Sequence, residues 1–100
     1  MKKTMSVLLV LLLSLSLMIP AFAADTCYVA GTQELCGSAW QASDANNAMS
    51  LVGNVYKKVY PSVPVGDYQF KVVYNGEWKG NGNDNVMFSV TSPCDVTITY

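Results

Sequence analysis

Trp78 stands in "GEWKGNGNDN", residues 76–85, and is followed closely by Asn81, Asn83, Asp84 and Asn85. An indole offers a flat apolar surface with few torsions to freeze, and the C–H face of a sugar ring lies well on such a surface. Short amide and carboxylate side chains supply the donors and acceptors that the ring's hydroxyls need. Trp40 keeps similar company in Gln41, Asp44 and Asn46. Trp78, Trp40, Asn81, Asn83, Asp84 and Asn85 are therefore candidate carbohydrate contacts. A second role fits the same two rings, because a small domain of packed sheets has open ends that a large side chain can plug. The two roles differ in whether the indole face is wet.

Other chemistries find less support. "GNGNDNV", residues 80–86, matches part of the Gly-x-Gly-x-Asp-x-apolar calcium repeat. One copy cannot build the stacked roll in which such ions are shared, and Asn and Gly serve any tight turn. No metal is expected. The chain has no His and no Arg, so the usual general base and the usual anion clamp are missing. Asp44, Asp67, Glu77 and Asp84 fall in turn-rich stretches and have little cleft around them to run a two-carboxylate hydrolysis. No Gly-rich segment leads into a helix to cradle phosphate. Neither catalysis nor a cofactor is expected.

The elements that must hold these residues begin after a leader. Lys2 and Lys3, the apolar run "VLLVLLLSLSLM" (7–18), Pro20 and "AFA" (21–23) have the basic, apolar and cleavable order of a secretory signal peptide, expected at residues 1–23. The remainder, residues 24–100, has the length of one small monomeric domain that buries roughly 60–65% of its unfolded surface. It carries four lysines against seven acids, a formal charge of −3, which suits no nucleic-acid backbone. Once the leader is cut, no membrane segment is expected. "TCYVAG" (26–31), "AMSLVG" (48–53), "VYKKVY" (55–60), "YQFKVVY" (68–74), "VMFSV" (86–90) and "DVTITY" (95–100) read as strands, with Tyr68, Phe70 and Val72 sharing one face. Residues 32–46 read as a long connection with a turn of helix near "ASDANNAM". "PSVPVGD" (61–67) reads as a turn, and "NGEWKGNGNDN" (75–85) as a connection opened by the hairpin dipeptide Asn75-Gly76. Tyr56, Tyr60 and Tyr74 are expected to reach water with their hydroxyls, and Lys71 to lie on a solvated strand face. Six to seven short strands at hairpin spacing predict an all-β, antiparallel immunoglobulin-like β-sandwich. Three cysteines, Cys27, Cys36 and Cys94, allow one internal disulfide at most. If the first and last strands lay side by side and parallel, Cys27 and Cys94 could bridge. That pairing is favoured, with an unbridged chain the close alternative.

Several of these segments occur together in one order: "YVAGT" (28–32), "LCGSAW" (35–40), "VPVGDYQFKVVYNGEW" (63–78), "NVMFSV" (85–90) and "CDVTITY" (94–100). With them the chain resembles the immunoglobulin-like module that accompanies amylopullulanases and related bacterial surface glycosidases, and more distantly the starch-binding β-sandwich modules. The most specific part is carried by Gly66, Tyr68, Phe70, Lys71, Val72, Asn75, Gly76 and Trp78. The resemblance implies a secreted or cell-surface accessory module that is not itself catalytic. Its implied partners are an α-glucan polysaccharide such as starch, or a glycoside hydrolase. The alternative is a structural spacer or display domain that binds no sugar. Relatives often carry an acidic and aromatic run after the second Trp, whereas here Trp78 is followed by "KGNGNDN", which has no aromatic.

Overall fold

The computed structural model describes residues 24–100. The secretory leader expected at residues 1–23 lies outside the described residues. In chain order the elements are β1 (Cys27–Gly31), a single helical turn α1 (Gln33–Cys36), a 3-10 turn (Ala45–Asn47), β2 (Ser50–Val52), β3 (Val55–Val63), β4 (Gly66–Tyr74), β5 (Glu77–Lys79), β6 (Val86–Val90) and β7 (Cys94–Thr99).

Two antiparallel sheets face each other across one core, giving an all-β sandwich. In the first, β4 is central and β1 pairs along one side of it. Along the other side β5 pairs with residues 72–74 of β4 and β6 with residues 66–70. The two short strands thus share one lane, and residues 80–85 leave that lane and return to it. The second sheet has the order β2-β3-β7. Strict alternation along β4 drives the packing. Tyr68, Phe70 and Val72 point inward and are buried with Val29, Tyr60, Val90 and Ile98. Tyr68 stacks on Phe88 at 5.3 Å between ring centroids, which completes that end of the core.

Several expectations change. Residues 77–79 are a strand and not loop: the Asn75-Gly76 turn, with φ 49° and 82°, folds Glu77 back opposite Tyr74 in the geometry that two-residue hairpins favour. β3 does not end at Tyr60 but runs on through Pro61 and Ser62 to Val63. The β3–β7 register slips between Tyr60 and Val63, with Ser62 left-handed at φ 52°. This irregularity admits a proline that cannot donate to the ladder, and Ser62 N–H instead donates to Asp95 Oδ1 at 2.9 Å. The long connection holds two short turns, at 33–36 and 45–47.

Tyr60 does not reach water. It is buried, and its hydroxyl donates to Asn47 Oδ1 at 2.7 Å. Asn47 Nδ2 donates to the Cys36 carbonyl at 3.0 Å, so one buried amide ties the connection to the second sheet. The Cys27–Cys94 disulfide is not formed, and all three cysteines are free. Among the strands β1 pairs with β4 in the first sheet, its other side being bridged at Tyr28 by Ala48, and β7 pairs with β3 in the second. The two strands are never side by side. Cys27 faces the core with its thiol 3.4 Å from Met49 Sδ, while Cys94 is exposed.

Candidate functional site

Residues of β4 that do not face the core face outward, and all the candidate residues but Trp40 lie on or beside that outer surface. Register places Tyr28, Val73 and Trp78 in one row across β1, β4 and β5. Val73 in the middle of the row is only 1% exposed, whereas the Trp78 indole remains 44% exposed. The ring is therefore the cross-strand neighbour of a buried outer-face valine and still presents a wet surface. It plugs no open end of the sandwich.

Next along β4 comes Lys71. Its ammonium donates to the Asn83 carbonyl at 3.1 Å, which holds the 80–85 excursion against the outer face. That excursion is a small hairpin of its own. Asn81 N–H donates to the Asp84 carbonyl at 2.9 Å and Asp84 N–H returns the bond at 3.0 Å, around Gly82 with φ 62°. Gly80 admits no side chain, because a Cβ there would run into the Asp84 carbonyl and the Lys71 methylenes. Farther along, Asn85 Nδ2 donates to Gln69 Oε1 at 3.0 Å, and Ser89 Oγ to Asp67 Oδ1 at 2.6 Å. Asp67, Gln69, Met87 and Ser89 line an open depression there.

Trp78, Asn81, Asn83, Asp84 and Asn85 are thus on one flank of one sheet. Asn81, Asn83 and Asp84 are exposed, while Asn85 is half-buried. Trp40 does not join them. Its backbone N–H donates to the Gly31 carbonyl, which is three residues, or about 10 Å, along β1 from the row that holds Trp78. It is half-buried and left-handed at φ 51°. Its expected neighbour Asp44 is engaged elsewhere. The Asp44 carboxylate accepts from Ser38 Oγ at 2.6 Å and from Asn46 N–H at 3.0 Å, and these bonds hold its carboxyl below the usual range. Beside Trp78, the Glu77–Lys79 pair at 2.9 Å lowers the carboxyl and raises the ammonium.

Sequence reasoning missed Lys71, Gln69 and Tyr28 as parts of this surface. The alternation that buried Tyr68, Phe70 and Val72 also turned Gln69, Lys71 and Val73 outward together, and that was the available signal. Among the described residues no group of three or more His, Cys, Asp or Glu could hold a metal ion. The arrangement is a flat aromatic and amide surface without a buried acid or nucleophile on it.

Comparison with known proteins fits this picture. Residues 27–100 match the family model described as the pullulanase X25 domain. Among solved structures, a pullulanase from Bacillus acidopullulyticus is similar with a TM-score of 0.64 and 21% identity, over 79% of this chain and 10% of that one. At that identity the likeness is one of fold. The chain spans about a tenth of that pullulanase's length. No curated protein matches the chain.

Proposed function

The chain belongs to the pullulanase X25 domain family, and from that premise we propose that it is an exported, non-catalytic accessory module that helps a glycoside hydrolase hold α-glucan. Export rests on the leader read in residues 1–23. The observation that carries the sugar contact is the exposed Trp78 indole on a sheet face, flanked by the exposed Asn81, Asn83 and Asp84. A glucose ring would stack on the indole while the loop's amides and carboxylate bind its hydroxyls. Binding is weak in this reading, because one ring on an open surface buries little area. Trp40 would be at most a separate contact.

A spacer role is the second reading, favoured by one observation: the indole is the cross-strand neighbour of the buried Val73, and such a pair stabilises a sheet without any sugar. Affinity electrophoresis through amylopectin distinguishes them. The wild-type chain should be retarded and Trp78→Ala should run as it does in plain gel. A wild-type chain that is not retarded removes the glycan role and leaves the spacer.

A further inference from the structure

Two Asn-Gly steps occur in the chain, Asn75-Gly76 and Asn81-Gly82, and we infer that only the second is a site of spontaneous covalent modification. In such a step the backbone nitrogen after the asparagine attacks the side-chain carbonyl carbon. The new C–N bond closes a succinimide ring, the bond to Nδ2 breaks, and ammonia leaves. Water then opens the ring at either carbonyl, giving aspartate or its β-linked isomer, which has an extra backbone methylene. Glycine in second place favours attack because no Cβ crowds the nitrogen. The other asparagines are followed by Asn47, Ala48, Val55, Asp84 and Val86, all of which carry a Cβ.

The side-chain amide must swing freely to be attacked, and here the two sites differ. Asn75 is held at both ends: Oδ1 accepts from Thr26 N–H at 2.9 Å and Nδ2 donates to Asp25 Oδ1 at 3.1 Å. Its own N–H also donates to the Thr26 carbonyl. The Asn81 side chain is exposed and makes no hydrogen bond among the described residues. Conversion at Asn81 places a new carboxylate close to Asp84, with which Asn81 shares two backbone bonds. The β-linked form lengthens the backbone inside that closed turn and breaks its pairing. The surface beside Trp78 thereby acquires negative charge and loosens with age, whether or not it binds sugar.

The test is an incubation of the folded chain in mildly alkaline buffer, followed by tryptic peptide mapping. Cleavage after Lys71 and Lys79 separates Asn75, in 72–79, from Asn81, in 80–100. Asn81 should convert about tenfold faster than Asn75, the effect of two ordinary hydrogen bonds holding the latter. In denaturant the two rates should converge, and Asp25→Ala should speed Asn75 alone. Equal rates in the folded chain, conversion centred on Asn83 or Asn85, or no conversion at Asn81 would each overturn the assignment.

Discussion

Tyr60 shows how much one polar atom constrains a domain of this size. Its hydroxyl lies between Asn47 Oδ1 at 2.7 Å and Cys36 Sγ at 3.7 Å, inside the hydrophobic cluster. Burial, with the nearby Cys36 thiol, pushes its ionisation well above the ordinary tyrosine range. The sign follows from proton counts. Above about pH 10 the unfolded chain loses this proton and the native chain keeps it, so stability is full below that pH and falls above it. Burial also pushes up the Cys27 and Cys36 thiols, and their contribution is lost in the same direction starting near pH 8.5. The thermal midpoint should therefore decline from about pH 8.5 and more steeply beyond about pH 10. Tyr60→Phe starts lower, because Asn47 Oδ1 is orphaned at roughly 1–3 kcal/mol, but its profile above pH 10 should be flatter. Parallel profiles for the two proteins would show that Tyr60 is not the group lost.

Among elements, the strands with clean alternation were the legible ones. In β4 the inward trio Tyr68, Phe70 and Val72 shows in the sequence as period two, and that pattern alone fixes the face. β5 was illegible because "EWK" is short and set among glycines and asparagines, so its strand state comes from pairing with β4 and not from propensity. The end of β3 was illegible because "PSVP" carries turn chemistry, and only the bulge opposite β7 lets it remain in a sheet. The candidate site was half legible. Composition pointed to Trp78 and the amides after it, but an outward lysine reads as solvated, and nothing local says that Lys71 fastens the loop. Two glycines separate loop from ladder. A Cβ on Gly31 would lie 2.5 Å from the Gln69 carbonyl oxygen and 2.9 Å from Phe70 Cβ, inside the β1–β4 ladder where neither can yield. Gly31→Ala should cost roughly 1–3 kcal/mol in urea unfolding, as overpacking does. Gly80→Ala would drive the Asp84 carbonyl away and so open the 80–85 turn, but that turn is largely exposed and outside the core cluster. It should lower the unfolding midpoint less than Gly31→Ala does, while the Asn81 and Asp84 amides exchange much faster. Equal losses of global stability would mean that the loop is part of the folding unit.

For the whole molecule, the question is what holds a domain this small without a covalent staple. Below roughly 80 residues a core alone supplies only a few kcal/mol, and exported domains commonly add disulfides. Here none of the three cysteines is bridged. Cys94 lies in the opposite sheet and is exposed, whereas Cys27 faces the core. Cys36 and Cys27 are both buried, and their thiols meet different partners, the Tyr60 hydroxyl and Met49 Sδ. The domain rests instead on its continuous cluster of buried aromatic and aliphatic side chains and on the Asn47 anchor. The sequence allowed a bridge between first and last strands because spacing along a chain does not reveal which sheet each strand joins. Reaction with a thiol reagent decides it. In the native chain Cys94 should react at once, being exposed, while Cys27 and Cys36 are protected by the core. In denaturant without reductant all three should react. A count of one in denaturant would mean that two of these cysteines are bridged after all.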